Sequence, residues 1–142
     1  MKDGEEAERI ISPHTLVCTP LRWHVRAYCE HSKGYRDFVL SRIRGIPDIN
    51  DKVVMEKDED KTWTTQLCIE LKPDPRLTEA QAAIIANDYG MEKGNLHINT
   101  NAALIRYVLN TYNIDINVLD SNPKGQQIIL GNFEELKQYV IF

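Results

Sequence analysis

Apolar and polar residues alternate along the first third of the chain, in three runs separated by short polar turns. The runs are rich in Val, Ile, Thr and aromatic side chains, which strands favour. Such alternation indicates strands with one buried face, and turns this short join antiparallel neighbours. The pattern predicts a three-stranded antiparallel meander over residues 9–19, 22–30 and 35–44.

The second half of the chain mixes strand and helix patterns. After a strand predicted over residues 63–71, the spacing of Thr78 and Gln81 is that of a capping box, and Gly90 supplies a helix stop. These signals predict a helix over residues 78–89. The remaining predicted elements are a helix that begins near Thr100 or Asn101, short strands over 114–119 and 126–130, and a final helix that opens at Asn132.

A polar, acidic stretch poor in aromatic residues, residues 45–61, separates the two patterns. The expected fold class is therefore α+β, with an antiparallel β domain followed by an α+β domain. The expected domains are residues 1–46, a linker over 47–61, and residues 62–142.

Two expectations concern the linker itself. The acidic residues 58–60 are expected to lie in water, where nothing would desolvate them. Residues 51–55 (DKVVM) contain two valines, and we expect them to fold back as a strand on an open edge of the meander.

Composition places the chain among globular proteins, with 42% hydrophobic and 27% charged residues in a length of 142. No apolar run is long enough to span a membrane, and the acidic start is unlike a signal peptide, so we expect a soluble cytoplasmic protein. Three scattered cysteines and four histidines show neither disulfide nor metal-ligand spacing. No catalytic motif is present, so neither an enzyme nor a cofactor is predicted.

Charge is distributed unevenly, although the net charge is only −4. Residues 9–46 contain seven basic side chains, six of them arginines, against two acidic ones. In the second predicted strand, alternation places Trp23, Val25, Ala27 and Cys29 on an apolar face, expected to be core, and Arg22, His24, Arg26 and Tyr28 on a polar face.

The polar face gains further arginines if Arg36 and Arg42 of the next strand lie beside Arg26. Arginines that contact phosphates, together with aromatic rings that stack on bases, are a known means of binding single-stranded nucleic acid or nucleotides. The alternative stays open, because the outer face of a small sheet is normally charged and solvated. In that case the chain is an interaction module without a ligand.

Three motifs in register resemble the WYL domain of bacterial transcriptional regulators: ISPHTLV at residues 11–17, RWHVRAYC at 22–29 and YRDFVLSRI at 35–43. Trp23 matches the tryptophan that names the family, whereas His24 and Val25 depart from the next two positions. The second half is similar to the extension that follows WYL domains, through Trp63, LKPDP at 71–75, DYGM at 88–91 and ALIRY at 103–107. The combination looks closest to the phage-defence-associated branch.

This resemblance implies a small SH3-like (Sm-like) antiparallel β-barrel that binds a ligand, followed by an extension used in dimerisation. The matching positions of the ligand groove are His14, His24, Arg26, Arg36 and Arg42. Nothing in the chain resembles the family's winged helix-turn-helix, and the first barrel strand has no counterpart, so we do not expect direct operator binding.

Two functions are therefore carried forward. The first is the ligand-sensing and dimerisation part of a WYL-type regulator, which is non-enzymatic, homodimeric and binds a nucleic acid or nucleotide effector. The second is a non-catalytic dimerisation module with no ligand. Neither involves a membrane, a metal or a cofactor.

Overall fold

A computed structural model describes residues 7–114 and 126–140. The chain divides into two units, Met1–Lys61 and Thr62–Phe142.

The first unit contains the predicted meander. Its strands are β1 (Ile11–Cys18), β2 (Trp23–Cys29) and β3 (Gly34–Val39), paired antiparallel in the order β1-β2-β3. The third strand is shorter than predicted because a 3₁₀ turn, Leu40–Arg42, follows Val39 directly.

The second unit packs helices with a second antiparallel sheet, whose strand order is β5-β4-β6. Its elements are α1 (Lys61–Thr64, which begins at the last residue of the first unit), β4 (Gln66–Pro73), α2 (Glu79–Asp88), β5 (Leu96–Asn101), α3 (Ile105–Thr111), β6 (Ile128–Leu130) and α4 (Phe133–Val140). The buried apolar core of this unit is formed by Ile69, Leu71, Ile105, Leu109, Ile114, Ile128, Leu130, Leu136 and Val140.

Local signals in the sequence located helices α2 and α4 closely, and α3 less closely. Thr78 forms the predicted capping box with Gln81, and Gly90 adopts a left-handed φ of 63° after the end of α2. Asn101, the last residue of β5, accepts hydrogen bonds from the backbone amides of Ala103 and Leu104 in the turn that precedes α3, so this helix starts at Ile105, four residues after Asn101.

The strand predictions are less accurate. β5 (LHINTN) was not predicted, because its polar His, Asn and Thr residues conceal the alternation of Leu96 and Ile98. Trp63 lies in the short helix α1 and not in the predicted strand, which starts at Gln66. Of the strand predicted over 114–119, all but Ile114 lies outside the described residues.

These elements confirm the α+β class. Among residues 7–114 and 126–140 there are two three-stranded antiparallel sheets and no closed barrel, so the SH3-like barrel stays a prediction. None of the helices that the structure describes is both long and apolar enough to cross a membrane.

Asn132 connects helix α4 to strand β4. Its side-chain oxygen accepts a hydrogen bond from the Glu70 amide (2.9 Å), and its amide group donates to the Cys68 carbonyl (2.8 Å) and to the Glu135 carboxylate (2.9 Å). The residue predicted as a helix cap therefore also satisfies backbone groups of the sheet.

We expect Asn132→Ala to lower the free energy of unfolding by about 1–3 kcal/mol, because polar groups on β4 lose their partner. Urea unfolding followed by far-UV circular dichroism measures the change. Asn87→Ala, an exposed position on α2, is the matched control and should stay within about 0.5 kcal/mol of the original chain. Equal effects of the two changes would contradict this role of Asn132.

Candidate anion-binding site

Strand β2 is buried on both of its faces. Val25, Ala27 and Cys29 form the predicted apolar face, while His24 and Arg26 on the opposite face are only 2% and 8% exposed. Trp23, also expected in the core, is instead 52% exposed at the first position of the strand. A buried arginine requires a partner, since an uncompensated charge away from water is costly.

Arg26 finds its main partner in Asp60, 34 residues further along the chain. The arginine donates from Nε to Asp60 Oδ2 (2.8 Å) and from Nη2 to Asp60 Oδ1 (3.1 Å), the two-pronged geometry of a strong guanidinium–carboxylate pair. Its Nη1 donates to Asp37 Oδ1 at 3.3 Å. Burial works against the charge of Arg26, but the hydrogen bonds to Asp60 and the charges of Asp60 and Asp37 outweigh it, so the pKa of Arg26 is raised.

His14 joins the same carboxylate through an irregularity in β1. The register between β1 and β2 shifts between Pro13 and Thr15, so His14 is the extra residue of a β-bulge. Bulges redirect side chains, and here Nε2 of His14 lies 3.0 Å from Asp60 Oδ2. Because an ionised carboxylate can only accept, Nε2 carries a proton, and Nδ1 lies 2.7 Å from the hydroxyl of Thr15.

His24 and Asp37 complete the group on this face. Nε2 of His24 lies 3.7 Å from Asp37 Oδ1, a distance for charge interaction and longer than a hydrogen bond. Asp37 is directly opposite Arg26 in the β2–β3 pairing, which places both side chains on one face. We call His14, His24, Arg26, Asp37 and Asp60 the polar cluster.

The segment that brings Asp60 to the cluster crosses the same face of the meander. The Val54 amide donates to the Ser12 hydroxyl (3.2 Å), and the Tyr35 hydroxyl donates to the Glu56 carbonyl (2.5 Å). A 3₁₀ turn, Lys57–Glu59, then leads into Asp60. We call residues 54–60 the strap.

The expectation that residues 58–60 lie in water is correct for Asp58 and Glu59, which are exposed, and wrong for Asp60. Asp60 is 1% exposed and is not a solvated linker residue, because Arg26 and His14 draw it into the polar cluster. The strand expected over residues 51–55 is not formed, although this segment folds back onto the meander, where the Val54 amide donates to the Ser12 hydroxyl.

Aromatic side chains flank the cluster. Tyr28 and Tyr35, opposite each other in the register, make an edge-to-face contact with ring centroids 5.3 Å apart, and the His14 ring lies 5.8 Å from that of Tyr35. Burial and the negative charges of Glu59 and Asp60 raise the pKa of Tyr35, so its hydroxyl remains a hydrogen-bond donor at neutral pH.

Arg36 and Arg42 are not part of this arrangement. Arg36 pairs with Ala27, so it projects from the apolar face of β2 and not from the face of Arg26. Arg42 lies in the 3₁₀ turn after β3, and both arginines are exposed. The expectation that Arg36 shares one surface with Arg26 is therefore wrong, because the hairpin register places the two side chains on opposite faces of the sheet.

Sequence reasoning missed two members of the cluster, Asp37 and Asp60. Asp37 could have been found by counting the pairing outward from the four-residue turn 30–33, which places it opposite Arg26. No local signal marks Asp60, since its neighbours are equally acidic. No group of three His, Cys, Asp or Glu side chains in residues 7–114 and 126–140 is arranged to hold a metal ion.

Comparison with known families agrees with the two-unit architecture. The WYL domain model matches residues 1–47, and the model of the C-terminal dimerization domain of the BrxR transcriptional regulator matches residues 66–136. The two matches place the chain in a class of transcriptional regulators. The chain is a member of the WYL-domain regulator family that has a BrxR-type C-terminal domain.

Curated relatives in this family include DNA-binding transcriptional repressors named CapW. The chain is 39% identical to the CapW repressor of Pseudomonas aeruginosa, 30% to that of Stenotrophomonas maltophilia and 35% to that of Escherichia coli. These matches cover 96–99% of this chain and 45–47% of each repressor, so the chain spans about half the length of the relatives it matches.

A double-mutant cycle tests the buried pair. Arg26→Leu and Asp60→Leu should each lower the free energy of unfolding by about 3–5 kcal/mol, because each leaves a buried charge without its partner. The double variant should lose less than the sum, by roughly 0.5–3 kcal/mol. Urea unfolding provides the measurement, with the exposed Arg36→Leu as a control near the original stability. Strictly additive losses would show that the pair does not interact as described.

Proposed function

We propose that this chain is the ligand-sensing and dimerisation part of a WYL-type transcriptional regulator, and that it binds a nucleic acid or nucleotide effector. One observation carries the ligand assignment: Arg26 and His14 direct three donor groups at a single anionic group, the carboxylate of Asp60. Two-pronged guanidinium donors suit a phosphate equally well.

The domain assignment that accompanies this proposal keeps the boundaries 1–46 for the WYL-like β domain, 47–61 for the linker and 62–142 for the C-terminal domain. We propose that the three-stranded meander is the larger part of an SH3-like barrel. The match to a WYL domain over residues 1–47 supports this, as does the bulge in β1 at His14, since bulges are frequent at the rims of barrels. We also propose a cytoplasmic location, which is where a bacterial transcriptional regulator acts.

Of the predicted ligand residues, His14, His24 and Arg26 form the proposed site, flanked by Tyr28 and Tyr35. These two rings offer apolar surface to a base while the guanidinium and imidazole donors hold a phosphate. Arg36 and Arg42 remain proposed ligand residues by family position, and their exposed side chains would have to reach the ligand from outside the polar cluster.

A second function is favoured by the same cluster. Because Asp60 already satisfies Arg26, the buried charges are consistent with a purely structural network. The chain is then an interaction module whose C-terminal unit forms the dimer.

Binding of a short fluorescent single-stranded oligonucleotide with a 5′-phosphate, measured by anisotropy over a salt series, separates the two functions. We expect affinity to fall with salt, with a logarithmic slope of roughly −0.7 for each phosphate neutralised. Arg26→Gln should weaken binding and flatten the slope, whereas Lys137→Ala, an exposed basic residue on α4, should change neither. Arg36→Ala and Arg42→Ala show whether these exposed arginines contribute. Absence of binding to oligonucleotides and nucleotides at low salt would favour the interaction module.

The dimer has its own test. The matched C-terminal domain is described as a dimerization domain, and two-fold pairing is the commonest form of self-association. Light scattering of the purified chain should therefore give twice the monomer mass of 16.4 kDa. A monodisperse species at the monomer mass, even at high protein concentration, would rule out the homodimer.

A further inference from the structure

We propose that Asp60 is an internal competitor for the effector's phosphate: the strap holds its carboxylate in the anion site, and a phosphate-bearing ligand binds only when the strap leaves. This inference rests on the proposed function, and it adds how the site is controlled.

The carboxylate of Asp60 and a phosphate of the ligand cannot occupy the anion site at the same time. Both oxygens of Asp60 are engaged, Oδ1 by Nη2 of Arg26 and Oδ2 by Nε of Arg26 together with Nε2 of His14. The carboxylate is 1% exposed, so no space for a second anion remains beside it. A phosphate that used the same donors would have to take the place of this carboxylate.

Charge leads to the same conclusion. With the strap in place, the positive charge of Arg26 faces two carboxylates, those of Asp60 and Asp37, at distances of 2.8 and 3.3 Å. An incoming anion would meet no net attraction there. Removal of Asp60 leaves the positive charge of Arg26 facing Asp37 alone, which favours an anion.

The strap is suited to local release. Apart from Asp60, its residues are exposed except for the half-buried Met55, and little apolar surface holds it down. Its main attachment is therefore the buried pair of Asp60 with Arg26, and a phosphate that takes over the donors of Arg26 and His14 replaces the negative charge that the departing carboxylate removes. The hydrogen bonds to Ser12 and Tyr35 would re-form with water.

Release would also alter the connection between the two units. Asp60 immediately precedes α1, and the second unit begins at Thr62. A ligand that displaces Asp60 therefore moves the residue that directly precedes α1.

The test compares two acidic residues of the strap in the full chain. Asp60→Asn keeps the size of the side chain and removes its charge from the site, and Asp58→Asn removes the same charge from an exposed position two residues away. The probes are inorganic phosphate and a 5′-phosphorylated single-stranded oligonucleotide. We expect Asp60→Asn to bind them about tenfold or more tightly, because a charged carboxylate no longer competes with the probe for Arg26. The affinity of Asp58→Asn should stay within about twofold of that of the original chain. Adding Arg26→Gln to Asp60→Asn should abolish the gain.

Hydrogen exchange on the unaltered chain supplies a second readout that does not depend on the variant folding. Saturating probe should accelerate exchange across residues 54–61, including the Asp60 amide that donates to the Lys57 carbonyl, while β2 becomes more protected. Measurable binding with unchanged strap exchange, or equal affinities of Asp60→Asn and the original chain, overturns the competitor and leaves the proposed function standing. Absence of binding in both proteins overturns the proposed function, and the competitor with it.

Discussion

A buried ion pair between Arg26 and Asp60 is the interaction on which the first unit depends. Among its described residues, this unit buries three apolar side chains, Val25, Ala27 and Cys29, which is too little for a three-stranded sheet to be stable alone. The same unit buries four polar residues, Ser12, His24, Arg26 and Asp60, and the hydrogen bonds and charge interactions in which they take part add to this small core. The free-energy cost of removing both charges from water offsets much of the gain from their attraction. Replacing only one of the two residues destabilises the unit, because the other charge then stays buried without its partner.

The two units thus reach stability by different means. The second unit follows the usual solution, a continuous apolar cluster between a sheet and helices. The first unit uses charges that must be paired, and it therefore has a specific requirement for one carboxylate at one place. A requirement of that kind is readily adapted to ligand recognition, since any group with the same charge and shape can meet it.

Features that depend on neighbouring residues were predictable from the sequence, whereas those that depend on distant partners were not. The meander, the Thr78 cap and the start of α4 after Asn132 all follow from local spacing. His14 and Arg26 were identified as site residues through their positions in two motifs. The relation between them needed the bulge in β1, and the position of Arg36 needed the hairpin register; neither is encoded in a single strand. Asp60 was read as a linker residue because its burial depends on a contact across 34 residues.

The segment that follows β3 has two parts, residues 44–52 and the strap, which differ in how well they tolerate insertions and deletions. Ile46 and Ile49 are 96% and 91% exposed, so residues 44–52 could vary in length without moving anything buried. From Val54 to Asp60 the spacing is fixed, because the hydrogen bonds to Ser12 and Tyr35 set where the 3₁₀ turn begins and thus where the carboxylate arrives. Insertions and deletions in related chains should therefore accumulate before residue 54 and be absent from the strap, residues 54–60.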